Sequence, residues 1–209
     1  MSFFEPPPPP PSLAFAEVEY RQPVWLGPPA NVLPGVVPVE LLIARTDQTA
    51  VAVTGIRAYP TGFGFTLSLR LRRLSPRQQQ DPYPFDAPFE GDQIPDAFLR
   101  FGVQFADGAK ATNLPRYDLH HDDDTEPTPP VLTAHGGGGG GTAWDMDHWV
   151  WPLPPAGPLA FVCEWPARQI EQSRVELDAR SVREAAERAA TLWPDEPSSS
   201  SPAVPSAWP

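Results

Sequence analysis

The sequence predicts an all-β fold in the main: an immunoglobulin-like antiparallel β-sandwich with one C-terminal helix and disordered, proline-rich termini. Three observations carry this. Proline and glycine number 31 and 15 of 209 residues. Average usage would give proline only about 5%, and proline breaks the long helices of a bundle or coiled coil. Hydrophobic residues still make up 41% and charged ones 20%, enough apolar material to fill a core. Short apolar/polar alternations also recur between turn signals, the pattern of sandwich strands.

The prolines act as punctuation. Ten fall within 1–35, five within 75–96, three within 116–130 and five within 194–209. The expected organisation is an extended arm at 1–35, one domain at 36–193 and a disordered tail at 194–209. In the arm, Pro6–Pro11 favours polyproline II and reads as a stiff spacer, with a ligand for an aromatic-lined groove as the sharper alternative. Trp25-Leu26-Gly27-Pro28-Pro29 is expected to anchor the arm's end onto the domain.

The strands follow in order. Val37, Val39, Leu41 and Ile43 alternate with other residues, and Pro38 places that strand's start at an edge. After the turn Thr46-Asp47-Gln48, Ala50–Ala58 forms a second strand with Gly55 as a bulge. Tyr59–Gly62 turns into Phe63–Arg72, where Phe63, Phe65, Leu67, Leu69 and Leu71 recur at period two. Three strands with short connections imply an antiparallel meander. Residues 75–96 form a loop insertion. Phe98–Phe105 is a strand, Asp107-Gly108 a turn, and Lys110–Asn113 a short return. A second insertion spans 116–141. It combines a polar stretch, five carboxylates against Arg116, with six glycines at 136–141 read as a flexible link. Trp149–Trp151, Leu159–Trp165 and Ser173–Asp178 complete the strands. A helix at 179–193 is capped by Asp178 or by Ser181, which with Glu184 fits a capping box. Arg180/Glu184, Arg183/Glu187 and Glu184/Arg188 pair on its wet side. Val182, Ala186, Ala189 and Trp193 face the sandwich, and Pro194 stops it.

Charge excludes some partners. The formal net charge is −11 and no basic stripe exists, so duplex nucleic acid and an anionic membrane are repelled. Arg70, Arg72, Arg73 and Arg77 read as the wet face of a strand rather than as a phosphate-binding patch. No apolar run approaches the roughly 18 residues of a membrane span. Met1–Pro11 lacks the parts of a secretory signal, so a cytoplasmic location is expected. The single cysteine, Cys163, forbids an internal disulfide, and in its apolar run it reads as a buried, inert thiol.

Catalytic signatures are missing. There is no Gly-x-Ser-x-Gly elbow, no Gly-x-Gly-x-x-Gly after a strand, and no cysteine pair for zinc. The glycine run leads to Thr142 without a Gly-Lys-Ser/Thr ending, so it is not a phosphate loop. No cofactor is expected. Two polar clusters remain. His120-His121-Asp122-Asp123-Asp124 with Glu126 has metal-type donors, but consecutive residues in a polar stretch impose no geometry and read as a solvated loop. The second is Trp144-Asp145-Met146-Asp147-His148-Trp149-Val150-Trp151. If extended, Asp145 and Asp147 point the same way, with His148 as a third ligand. Alternatively, Trp144 and Trp149 offer aromatic faces to a sugar or peptide. The plainer reading has Trp149 and Trp151 filling the core and the aspartates solvated at a hairpin end. Trp144, Asp145, Asp147, His148 and Trp149 are therefore the candidate ligand platform, with no catalytic, cofactor-binding or metal residue assigned.

Trp25–Pro29, Leu99–Phe105, the glycine run, Trp149–Pro154 and Pro158–Pro166 resemble a family of uncharacterised actinobacterial proteins with no assigned activity. The high ratio of arginine to lysine, 14 to 1, suits such a GC-rich source. The resemblance covers most of the domain and implies no site. The expected function is a non-enzymatic protein-interaction or scaffold module with a protein partner. A small-molecule or carbohydrate-binding sandwich using Trp144–Trp151 comes second. An enzyme using Asp145 or Asp147 with His148 comes third.

Overall fold

The computed structural model describes residues 22–73, 93–114 and 126–193. Pro6–Pro11, most of the 75–96 insertion, the His120–Asp124 cluster and the 194–209 tail lie outside these residues. Within them are β1 (Val32–Leu33), β2 (Gly35–Val36), β3 (Leu41–Arg45), β4 (Thr49–Ala58), β5 (Phe63–Leu71) and β6 (Arg100–Gln104). There follow β7 (Lys110–Thr112), β8 (Val131–Gly140), β9 (Ala143–Trp151), β10 (Pro158–Trp165), β11 (Ile170–Asp178), α1 (Ala179–Glu187) and β12 (Ala190–Thr191). No helix among the described residues is long and apolar enough to cross a membrane.

The period-two run of β5 builds the centre. Phe63, Phe65, Leu67 and Leu69 are fully buried, each worth about 1.5–3 kcal/mol of apolar burial. Antiparallel neighbours flank this strand on both sides, giving the sheet order β2–β4–β5–β9–β8. Strands β2 and β3 share one edge of β4, at its two ends. A second antiparallel sheet runs β11–β10–β6–β7. Its Phe101 and Phe161 meet Phe65 at ring-centroid distances of 5.7 and 5.3 Å, so aromatic side chains join the sheets. The edges also approach each other, β3 along β11 and β7 beside β8. The all-β sandwich is therefore present, immunoglobulin-like in its two antiparallel layers. The chain builds it from the meander β3–β4–β5 and the hairpins β6–β7, β8–β9 and β10–β11.

Local chemistry explains several elements. Gly55, at φ +58°, sits where the β4–β5 register shifts, the expected bulge. In the β6–β7 turn, Asp107 accepts from the Ala109 amide at 2.9 Å. Asp178 caps α1 by accepting from the Arg180 amide at 2.9 Å. Ser181 does not cap it, because its hydroxyl donates to the Asp178 carbonyl at 2.7 Å.

Three boundaries differ from the sequence expectations. The glycines are not a flexible link. Gly136–Gly140 continue β8, with Gly137 opposite Met146 and Gly139 opposite Trp144. A Cβ on Gly137 would stand 2.6 Å from the Asp145 carbonyl oxygen and 2.9 Å from Met146 Sδ, so close approach to β9 requires glycine there. The arm does not end at 35. Trp25 packs edge-on against Trp151 at 6.2 Å, β1 lies within the supposed arm, and β2 straddles its boundary. The helix stops at Glu187, short of 193. Ala190 and Thr191 pair instead with Leu33 and Val32, a tertiary contact that overrides alanine's helix preference. Val182 and Ala186 are buried as expected, whereas Trp193 is 56% exposed.

Candidate functional site

Strand β9 is paired to β5 and β8, so its side chains alternate between the interior and the outer surface. Asp145 and Asp147 point outward together, as their spacing predicted. The register sets Ser68 beside Asp145 and Thr66 beside Asp147. Ser68 Oγ donates to Asp145 Oδ1 at 2.6 Å, and the Arg70 guanidinium donates to both carboxylate oxygens at 2.9 and 3.2 Å. Thr66 Oγ1 donates to Asp147 Oδ1 at 2.6 Å, and Arg57 Nη2 reaches the same oxygen at 3.4 Å. The hydrogen bond from Arg70 is the main force holding the Asp145 carboxyl below its usual range; the Ser68 hydroxyl helps and partial burial opposes. The Arg70 and Asp145 side chains are 51% and 46% exposed, so solvent screening leaves the pair worth under about 1 kcal/mol. The aspartates are thus embedded mid-strand in an ion-paired network, not loose at a hairpin end.

His148 points the other way. Its ring stacks on Phe65 at 5.3 Å with an interplanar angle of 7° and lies 5.6 Å from Phe101. Nδ1 is 3.1 Å from the Met146 carbonyl oxygen. Burial pushes the imidazole down to about 4 despite the Met146 carbonyl and Asp147, which favour the charged form. At neutral pH it is an uncharged core residue. Trp144 likewise packs against the core. Trp149 faces outward but is only 1% exposed. Its indole N–H donates to the Val24 carbonyl at 2.9 Å, and Tyr59 meets it edge-on at 5.5 Å.

The five platform residues are therefore divided between two faces. Trp144 and His148 look inward; Asp145, Asp147 and Trp149 look outward. The tryptophans cannot present one surface to one ligand, and His148 cannot join the aspartates at a cation. Among the described residues, no three His, Cys, Asp or Glu side chains are grouped to hold a metal. The expected burial of Trp149 holds, but its cover is the Pro23–Trp25 segment rather than the opposite sheet. Period two places it with the aspartates, while nothing local in the sequence signals that cover.

A different surface stands out. Leu33, Val36, Leu192 and Trp193 are 55%, 59%, 41% and 56% exposed. They belong to the ribbon β1–β12 and its flanks. Leu33 pairs with Ala190, and the Leu192 amide donates to the Asn31 carbonyl at 2.7 Å. That register puts Leu33 and Leu192 on one face of the ribbon. Arg188 Nη2 donates to the Val36 carbonyl at 3.0 Å, tying β2 to the end of α1. Sequence reasoning missed this surface because it placed Trp193 on the inner side of a longer helix.

Compared with known families, curated proteins and solved structures, the chain shows no match.

Proposed function

We propose that this chain is a non-enzymatic protein-interaction module that docks its partner with the β1–β12 ribbon. The carrying observation is that Leu33 and Leu192 are exposed on one face of the ribbon, with Val36 and Trp193 also exposed at its flanks. Apolar side chains gathered on a surface mark interaction sites, whereas single exposed ones do not. The polar chemistry supports binding over catalysis. Asp145 and Asp147 are engaged by arginines and hydroxyls. His148 is uncharged and enclosed between the sheets, and burial pushes the Cys163 thiol up to about 12. None of these is poised as an accessible nucleophile or base.

The test is a quantitative pulldown from the source lysate with the full chain and with Leu192→Ser/Trp193→Ser. These exposed substitutions change stability by less than about 1 kcal/mol, which a thermal melt checks. A partner retained by the wild type and lost by the variant supports the reading. Equal capture by both, or no partner at all, refutes it.

A further inference from the structure

The outer face of the smaller sheet carries a groove of about 190 Å³. Strand register lays out its floor. Thr112, Gly102, Val162 and Arg174 form one row across β7, β6, β10 and β11. The row has a gap at Gly102. A Cβ there would stand 2.7 Å from the Ala111 carbonyl oxygen and 3.0 Å from Thr112 Cγ2, so the position must stay bare. The half-buried side chain of Val162, with the bare, buried Gly102 beside it, makes a flat, apolar floor.

The walls are cationic. Arg174 Nη1 donates to Gln104 Oε1 at 2.7 Å, while its Nε pairs with Glu176 at 2.9 Å. Lys110, opposite Gln104 on β7, is the only lysine in the chain and forms no ion pair among the described residues. Lys110 and Arg174 therefore flank Gln104 from its two sides. At the other end, Arg100 pairs with Glu164 at 3.0 Å, and its buried Nε–H has no partner among the described residues. Glu176 offsets Arg174 and Glu164 offsets Arg100, which leaves Lys110 as the lining cation with no carboxylate partner among the described residues.

We infer that this groove binds a small apolar carboxylate. The flat floor takes a ring or short alkyl chain, and Lys110 and Arg174 take the carboxylate as point charge and planar fork. The volume, about 190 Å³, is below the roughly 300–1,000 Å³ of sites for larger ligands, which restricts the ligand to the size of a single ring. This site lies on a different sheet from the ribbon, so either reading can fail alone.

The experiment titrates the ¹⁵N-labelled full chain with benzoate, phenylacetate and hexanoate, with benzamide and acetate as controls, following backbone amide shifts. At least one of the three apolar acids gives saturable shifts centred on Gly102, Gln104, Thr112 and Val162, and both controls leave those amides in place. Lys110→Met and Arg174→Met each weaken binding about tenfold, the loss of a charge-assisted contact, with the melting temperature unchanged. Absence of saturable shifts with all three acids overturns the inference. So does benzamide binding equally well, acetate binding equally well, or indifference to both substitutions.

Discussion

Acidification from pH 7 to pH 5 will weaken this fold chiefly through His148. Burial against Phe65 and Phe101 lowers the imidazole from its ordinary 6.5 to about 4, with His135 adding a smaller repulsion. A depressed value means that the unfolded chain takes up a proton where the folded one does not. The associated stability is complete above about pH 6.5 and is lost as pH falls toward 4. Below both values the loss is roughly 3 kcal/mol, and about 2 kcal/mol of it has gone by pH 5. That is a large part of a typical total of about 5–15 kcal/mol. Two carboxylates held low by their partners do not mimic the effect. Asp145 and Asp178 are held below their usual range, so their contributions fall away only under about pH 4. Urea unfolding of the wild type and His148→Phe, followed by tryptophan fluorescence and far-UV circular dichroism at pH 7, 6 and 5, isolates the term. Phenylalanine keeps a flat ring on Phe65 and removes the titration; any repacking cost is common to every pH. The wild type should lose about 2 kcal/mol more than the variant between pH 7 and 5. Parallel pH profiles would refute the placement of a neutral histidine in the core.

Other consequences are equally direct. Trp149→Phe removes the indole donor to the Val24 carbonyl, costing about 1–2 kcal/mol. It should release the covering segment, seen as faster amide exchange at Leu26; unchanged exchange would count against that cover. Gly137→Val forces a Cβ onto the Asp145 carbonyl, whereas an added Cβ at Gly138 meets nothing within 4 Å. The first should cost about 1–3 kcal/mol and unpair the glycine half of β8, while Gly138→Val does neither; equal effects on amide exchange would disprove the register. Cys163, with its thiol pushed up to about 12, should react with a disulfide reagent at pH 8 only at the rate of unfolding. Prompt labelling of the native protein would show the thiol to be accessible.

What was legible in the sequence, and what was not, follows from where each pattern has its cause. β5 could be read because one face is buried along its whole length, so Phe63 to Leu71 carry the period themselves. The β6–β7 hairpin could be read because Asp107-Gly108 determines its own turn. The glycine strand could not be read: residues without side chains show no periodicity, and the demand for glycine at 137 comes from Asp145 and Met146 across the ladder. The end of the helix was hidden for a similar reason, since Ala190 pairs with a residue far earlier in the chain, Leu33. At the candidate site, contiguity misled. Period two sends neighbouring polar residues to opposite faces, so Asp147 and His148 are adjacent in sequence yet separated by the thickness of a sheet. A surface patch on a sandwich is therefore collected across strands rather than along one. Its members are residues such as Lys110, Gln104 and Arg174, or Leu33 and Leu192, which register alone makes neighbours. A run of functional-looking residues within one strand is weak ground for a site in such a fold, and side chains brought together by register across strands are better ground.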